Sequence, residues 1–170
     1  YHGGLGGLAV STHAGVPWIC SQSEPYLARS WWPCKDHPSD KADSVDINVT
    51  VTSDLKVASN GKLISVLDNG NGTSTYRWHH RYPIATYLVF ISIADYSEFT
   101  NWFRYSQTDS MPVLNYVLSE SLATALTNIP LTLGMLQTFS DLLGLYPFVD
   151  EKFGHNQYNW GAGSAMEHQT

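Results

Sequence analysis

Two short stretches carry polar side chains at a spacing that suits the binding of another molecule. The first, at 20–42, reads CSQSEPYLARSWWPCKDHPSDKA, and in an extended segment its Gln22 and Glu24 project from the same face. The second, at 163–170, reads GSAMEHQT. Its small residues would let another backbone approach and pair with it, and Glu167 would present a carboxylate at the end of that pairing. Taken alone, a solvated turn and an ordinary edge strand are the plainer interpretations.

The seven histidines raise the question of a metal site. None of them is followed by Glu, so the sequence has no His-Glu-x-x-His motif. His79 and His80 are adjacent on a predicted strand, which points their side chains to opposite faces. Four others, His13, His37, His155 and His168, lack the spacing of metal ligands. We therefore predict no zinc site in this chain. It also has no nucleophile elbow, phosphate loop or dinucleotide motif.

The first two thirds of the chain have the pattern of β-strands. Apolar and polar residues alternate in SVDINVTV at 44–51, which predicts a strand with one buried face. Asn60-Gly61 predicts a tight hairpin inside KVASNGKLISVL, and DNGNG at 68–72 predicts a second turn. TSTYRWHH is another alternating strand, with Tyr76 and Trp78 on one face. IATYLVFISIADY predicts a strand covered on both faces, and PVLNYVL one more. This spacing favours an antiparallel sandwich or saddle-shaped sheet.

The pattern changes to that of a helix after about Leu118. Pro130 suits the first turn of a helix, Gly144 its end, and Pro147 forbids any continuation. The apolar residues between them fall at helical spacing: Leu131, Met135, Leu136, Phe139, Leu142 and Leu143. We therefore predict a β region that is followed by the first elements of an α/β region.

Composition narrows the classes of partner. Only 14% of the 170 residues are charged and the formal net charge is −6, so the basic surface that nucleic acid needs is missing. No apolar run reaches the length of a membrane span. Cys20 and Cys34 could pair or stay reduced, and free thiols are the interpretation we favour. The absence of an initiator Met and the abrupt end lead us to expect an excised fragment. The compartment of the parent protein stays open, with the periplasm or the extracellular space among the alternatives.

Several motifs in order resemble the zinc aminopeptidases of the aminopeptidase N family, which includes leukotriene hydrolase. SQSEPYLARSWWPCKDHPSDKA is similar to that family's Gln-x-Glu segment with the Arg, Pro-Cys and Asp-x-Pro that follow it. VASNGKL and YPIATYLVFISIADY resemble the next turn and the strand that closes the sheet. LLGLYPFVDEKFG resembles a helix end of the catalytic domain, and SAMEHQT the Gly-x-Met-Glu-Asn motif of exopeptidases. The resemblance runs from about Cys20 to Thr170.

The resemblance implies a way of binding the substrate, a peptide with a free N-terminus. The substrate's first residues would pair in an antiparallel way with the backbone of Ser164, Ala165 and Met166. Glu167 and Glu24 would bind the free α-ammonium, and Gln22 would line the first specificity pocket. Two carboxylates bound to one ammonium would restrict cleavage to the first peptide bond, so that one residue is removed at a time. A blocked N-terminus would be rejected, because both carboxylates would lose their cation.

Two departures from the motif and one larger omission bear on this expectation. Ser164 stands where the motif's first Gly is usual, which could narrow the approach of the substrate backbone. His168 replaces the more familiar Asn. In the family the zinc ligands and the general base lie on a His-Glu-x-x-His helix and a later Glu, which we expect beyond Thr170. No catalytic residue is therefore expected in this chain, and as an isolated polypeptide it should be inert.

The resulting prediction is a mainly β chain with α at its end. Residues 1–118 would be the C-terminal part of an antiparallel β-sandwich or saddle N-terminal domain. Residues 119–170 would be the first helix and edge strand of a thermolysin-like α/β catalytic domain, poorly buried because the remainder of that domain is their partner. The rivals are an inactive scaffold of the same fold and a non-catalytic β-sandwich module that binds sugars or proteins. The tryptophans that suggest such a module are Trp18, Trp31, Trp32, Trp78, Trp102 and Trp160.

Overall fold

The described part of the chain is built mainly from β-strands, with two α-helices in its last third. The computed structural model describes residues 6–158 and 165–170. In chain order, the strands and helices within these residues are β1 (Leu8–His13), β2 (Val16–Ser21), β3 (Val45–Thr52), β4 (Lys56–Ser59), β5 (Lys62–Asp68), β6 (Thr73–His80), β7 (Ile91–Ala94), β8 (Ser97–Arg104), β9 (Ser110–Val117), α1 (Leu122–Asn128), α2 (Leu131–Leu143) and β10 (Phe153–Asn156). They divide into two compact units, residues 6–95 with 158 and 165–169, and residues 96–157.

The first unit is an antiparallel β-sandwich. One sheet has the strand order β1-β2-β7-β4 and the other the order β3-β6-β5. Strand β3 alternates between half-buried and exposed residues, as the sequence pattern predicts. Val49 and Val51 of this strand pack against a core formed by Leu55, Val57 and Ile93. Burial of this apolar surface between two sheets confirms the predicted sandwich.

The predicted hairpin at Asn60-Gly61 is wrong. β4 pairs with β7, whereas β5 pairs with β6, so the chain passes from one sheet to the other at this point. Gly61 does have a positive φ of 74°, but its role is close packing, because a Cβ there would overlap the carbonyl group of His79. The other predicted turn, at 68–72, does join two paired strands, β5 and β6.

The long strand predicted over 84–96 is much shorter in the structure. Thr86–Leu88 form a 3₁₀ helix, and only Ile91–Ala94 form a strand. The carbonyl of Leu88 and the N–H of Phe90 are bonded to the side chain of Asn60, so they are not available to a neighbouring strand. The short strand is nevertheless buried on both faces, as expected for a continuous apolar run.

The second unit packs helix α2 against a three-stranded sheet of order β10-β9-β8. β8 and β9 are antiparallel, whereas β10 runs parallel to β9. The helix starts after Pro130 and stops at Gly144, whose φ is 97°, so both predicted boundaries are confirmed. Its Leu136 lies in the core of this unit with Phe103, Met111 and Val113.

Most of the apolar side chains of α2 face away from that core. Leu131, Met135, Phe139, Leu142 and Leu143 are all more than half exposed. The exposure is confined to the helix, because Glu151 and Lys152 after it are buried, and the expectation that residues 119–170 are poorly buried as a whole stays a prediction. The domain boundary at residue 118 concerns the longer protein and stays a prediction; here strands from either side of it share one sheet. Within residues 6–158 and 165–170, no helix is long and apolar enough to cross a membrane.

Candidate functional site

Gln22 and Glu24 follow strand β2 directly and are both exposed. Between and before them, Ser21 and Ser23 are fully buried. This alternation is that of an extended segment, so the two polar side chains leave the same face, as the sequence pattern predicts. The carboxylate of Glu24 has no ion-pair or hydrogen-bond partner in the described part of the chain.

The two buried serines hold this segment in place. The Ser21 hydroxyl accepts a hydrogen bond from the backbone N–H of Ile91 at 3.0 Å. The Ser23 hydroxyl accepts one from the indole N–H of Trp31 at 2.8 Å. The backbone N–H of Gln22 donates to the Gly7 carbonyl at 2.8 Å. Buried bonds of this kind fix the direction in which the two exposed side chains point.

The second predicted stretch is described from Ala165 onward, and Ser164 lies outside the described residues. Ala165 and Glu167 are exposed, while Met166 between them is half-buried. Residues 165–170 form no strand, and the backbone groups of 165–167 bond to nothing else within the described chain. Their donors and acceptors are therefore free to pair with an incoming strand.

Two residues that follow Glu167 anchor this tail to the first unit. The ring of His168 packs on Phe90 with 4.2 Å between the ring centroids. The Gln169 side-chain amide donates to the carbonyl of Pro83 and to Nε2 of His80, both at 2.9 Å. An amide NH₂ can only donate, so Nε2 of His80 is the acceptor of this hydrogen bond. The tail is thus held by side chains, with Glu167 just outside the anchored part.

The two stretches meet at consecutive residues of the first unit. Phe90 contacts His168, which follows Glu167, and the N–H of Ile91 bonds to Ser21, which precedes Gln22. Tertiary structure therefore brings together segments that are more than a hundred residues apart in sequence. Glu167, like Glu24, lacks an ion-pair partner among the described residues. Two unneutralised carboxylates on neighbouring segments suit a cationic ligand.

Sequence reasoning missed the side chain that links these segments. Asn60 is fully buried, and its Oδ1 accepts from the N–H of Phe90 at 2.6 Å. Its amide nitrogen donates to the carbonyls of Leu88 and Gln169. The sequence pattern identifies Asn60-Gly61 only as a turn. Nothing local distinguishes a turn Asn from a buried one, because all three of its partners are distant in sequence.

The charged residues after Trp32 are largely an exposed turn, as expected. Lys35 and Asp40 form an exposed ion pair at 3.9 Å, a type that contributes little to stability. Asp36 has a more specific role, because it accepts hydrogen bonds from the backbone N–H of Arg29 and the hydroxyl of Thr86. This carboxylate therefore ties the segment after Gln22 and Glu24 to the 3₁₀ helix before Phe90.

The described residues contain no group of three His, Cys, Asp or Glu side chains that could hold a metal ion. His79 and His80 point to opposite faces, as predicted: His80 is buried, whereas His79 lies at the surface, 2.8 Å from Asp46. The donor set of a zinc site is therefore not found in this part of the protein.

Both cysteines are unpaired, and two of the five described tryptophans are buried, whereas Trp102 is 59% exposed. Both Cys20 and Cys34 are free thiols, and burial raises the pKa of Cys20 to about 12, so it is not a reactive thiolate. Trp78 is 1% exposed, which confirms its predicted place in the core, and Trp18 is also buried. These two rings cannot stack on a sugar. Trp160 lies outside the described residues.

Comparison with known proteins identifies the first unit. Residues 7–88 match the model of the peptidase M1 N-terminal domain. Leucine aminopeptidase 2 of Vanderwaltozyma polyspora is 43% identical over 84 residues, which are 49% of this chain and 12% of that protein. Probable aminopeptidase 1 of Saccharolobus solfataricus is 32% identical over 95 residues, 56% of this chain and again 12% of the relative. The matched residues thus span about an eighth of these relatives.

Solved structures match more of the chain. A two-domain M1 zinc metallopeptidase with bound L-arginine aligns with a TM-score of 0.65 and 26% identity, over 86% of this chain and 32% of that one. An M1 zinc metallopeptidase from Deinococcus radiodurans bound to the substrate Tyr-Ser-Ala aligns with the same values. This likeness continues past residue 88 and well into the second unit.

Proposed function

We propose that this chain, whose residues 7–88 match the peptidase M1 N-terminal domain, is part of a zinc-dependent aminopeptidase that removes N-terminal residues from peptides. The chain contributes the anchor for the substrate's α-amine. The observation that carries this proposal is the convergence of the Glu24 and Glu167 segments on Phe90 and Ile91. Both carboxylates are exposed there, and both lack a cation among the described residues.

The proposed anchor has three parts. Glu167 and Glu24 bind the α-ammonium through charge-assisted hydrogen bonds. The backbone of Ser164, Ala165 and Met166 pairs with the first residues of the peptide, and the unpaired backbone groups of residues 165–167 support this. Gln22, on the same face as Glu24, lines the pocket for the first side chain. A relative of the same fold that binds a tripeptide substrate is consistent with this arrangement.

The proposed function requires zinc, but the described residues do not bind it. When bound, zinc activates water and polarises the scissile carbonyl. The described residues do not fit a zinc ion, so we propose that its ligands and the general base lie in another part of the protein. In this proposal the chain binds the substrate's N-terminus, and it thereby places the first peptide bond of the substrate at a fixed distance from the reacting groups.

The first experiment replaces Glu167 by Gln in the full-length protein that contains this chain. We expect kcat/KM for aminoacyl fluorogenic amides to fall about a hundredfold, because an oriented charge-assisted contact to the ammonium is lost. Glu24→Gln should act in the same direction. Activity should be sensitive to a chelator, and acetylated substrates should not be cleaved by the wild-type protein.

The matched control is Glu120→Gln, which removes an exposed carboxylate from the second unit and should leave kcat/KM unchanged. The 170-residue chain alone should release no product. A folded, metal-loaded parent without chelator-sensitive activity would contradict the enzyme proposal and favour the inactive scaffold. Full activity of Glu167→Gln on substrates with a free amine would contradict the proposed anchor but not the proposal that the parent is an aminopeptidase.

A further inference from the structure

Asn60 joins three distant parts of the first unit through one buried side chain. It lies where the chain leaves β4 and crosses to the other sheet. Its Oδ1 accepts from the N–H of Phe90 at 2.6 Å, and its Nδ2 donates to the Leu88 carbonyl at 3.0 Å and to the Gln169 carbonyl. Both amide protons and the acceptor oxygen are thus used, at sequence separations of 30, 28 and 109 residues.

The next residue makes this placement feasible. Gly61 has a positive φ, and the space where its Cβ would stand is filled by the backbone of His79 and His80. The chain can therefore run directly against the end of β6. This brings Asn60 beside His80, whose Nε2 accepts a hydrogen bond from the Gln169 side chain. Asn60 and His80 hold the backbone and the side chain of the same tail residue.

The partners of Asn60 are the neighbours of both acidic segments. Gln169 lies two residues after Glu167, and the ring of Phe90 packs on the intervening His168. On the other side, Phe90 is followed by Ile91, whose N–H bonds to Ser21 just before Gln22. A shift of Asn60 would therefore be transmitted to Glu167 by one contact and to Glu24 by a short chain of contacts.

We propose that Asn60 is the positioning residue of the α-amine anchor, with Gln169 as the link through which it acts on Glu167. The inference rests on the proposed function, since it names a residue that sets the geometry of the same site. Asn60 is fully buried and does not reach a substrate. Its effect is the placement of two carboxylates relative to each other, and binding of one small cation is sensitive to such placement.

A buried amide suits this role better than an apolar side chain would. Apolar packing tolerates small displacements, whereas hydrogen bonds weaken steeply with distance and angle. In a buried environment each of the three bonds is also difficult to replace by water. Removal of the amide leaves the Phe90 N–H and the Gln169 carbonyl without this partner, so the tail is expected to move to find another.

The test measures binding of two probes to the full-length zinc-loaded protein. One probe is leucine hydroxamate and the other is its des-amino analogue, 4-methylpentanohydroxamate; both carry the metal-binding group and only the first carries the α-ammonium. Calorimetry gives the two Kd values. The Kd of the des-amino probe divided by the Kd of leucine hydroxamate reports the contribution of the amine anchor alone. We expect Asn60→Ala to lower this ratio about tenfold or more, with the Kd of the des-amino probe nearly unchanged.

A matched control distinguishes positioning from general stability. Asn115 in the second unit is equally buried, and its side chain likewise bonds to the carbonyls of Phe99 and Val113. Asn115→Ala should therefore destabilise the protein in a similar way without changing the ratio. Gln169→Met keeps the size of the side chain, removes the bonds to His80 and Pro83, and should lower the ratio in the same direction as Asn60→Ala.

Each outcome decides a separate point. If Glu167→Gln leaves the ratio unchanged, the proposed anchor is wrong and this inference fails with it. If Glu167→Gln lowers the ratio but Asn60→Ala and Gln169→Met do not, only the positioning role is wrong. Equal weakening of both probes by Asn60→Ala would also overturn it, since that is the mark of a general defect. If Asn60→Ala does not fold, the smaller polar replacement Asn60→Ser decides, because Gln169→Met leaves the bond from Asn60 to the Gln169 backbone carbonyl in place.

Discussion

Gly61 and Gly70 have almost the same backbone conformation in different surroundings. Their φ values are 74° and 73°, but a Cβ on Gly61 would overlap the His79 carbonyl, whereas a Cβ on Gly70 would meet nothing within 4 Å. We expect Gly70→Ala to cost about 1–2 kcal/mol of unfolding free energy from the left-handed conformation alone. Gly61→Ala should cost a further ~1–3 kcal/mol from overpacking.

Urea denaturation of the two variants, followed by tryptophan fluorescence, checks this difference. Equal losses would mean that the contact between Gly61 and the end of β6 yields easily. In that case the placement of Asn60 beside His80 would not depend on the glycine.

His155 makes the stability of the second unit depend on pH. Its Nδ1 lies 2.9 Å from Oδ1 of Asn115 and its Nε2 lies 3.3 Å from the Thr132 hydroxyl, so it joins sheet and helix. Burial lowers the pKa of His155 from its usual 6.5, because the charged form loses hydration. The native state then binds fewer protons than the unfolded state. The contribution of neutral His155 is complete above about pH 6.5, and it is lost as the pH falls below that value and through the lowered pKa of the native state.

Hydrogen exchange of the β9 and β10 amides measures this effect. We expect their protection to decrease between about pH 7.5 and pH 5.5 more steeply in the wild-type chain than in His155→Gln, which cannot take up the proton. Carboxylates titrate alike in both proteins and cancel in the comparison. Parallel pH profiles would show that protonated His155 is accommodated without cost.

At the scale of elements, helix α2 has one leucine inside the core and others outside it. Leu136 is 7% exposed and packs with Met111 and Val113, whereas Leu142 is 74% exposed. Leu136→Ala should cost about 2–5 kcal/mol of unfolding free energy, since it removes methyl groups and leaves a cavity. Leu142→Ala in the same helix should change it by less than about 0.5 kcal/mol.

Chemical denaturation of the 170-residue chain compares the two substitutions directly. A large loss for Leu142→Ala would mean that this face of the helix is covered in solution, for instance by self-association. The apolar spacing of residues 131–143 correctly predicts the helix. It does not predict which leucine is buried, because the stripe of apolar residues is wider than the surface that the sheet offers.

In the β-strands, too, the local pattern predicts where a strand lies but not which strand it pairs with. Alternation at 45–52 and 73–80 predicts β3 and β6 with their buried faces. The spacing of β4 and β5 around Asn60-Gly61 predicts a hairpin, yet the two strands belong to different sheets. Turn residues specify a change of direction, and only the available partners decide which sheet each strand joins.

At the scale of the whole molecule, the proposed activity requires residues beyond the 170 of this chain. The aligned structures are about three times longer than their matched part, and the zinc ligands are not found in the described residues. In the proposed function this chain supplies the anchor for the substrate's α-amine. The proposed binding and chemistry would thus lie on different parts of one protein, so the tests of activity and of probe binding use the full-length form, whereas the stability of α2 is measured on the 170-residue chain.

The sequence by itself determined the resemblance to M1 aminopeptidases, the mainly β architecture, the boundaries of α2 and the choice of Glu24 and Glu167 as candidates. These follow from local signals: alternation, helical spacing, a proline and a glycine at helix ends, and motifs in a fixed order. Tertiary structure alone decided that the segment before Gln22 bonds to Ile91, that His168 packs on Phe90, and that Asn60 bonds to both Phe90 and Gln169. The physical reason is that hydrogen bonds of a buried amide join residues far apart in sequence, and no local pattern records such partners.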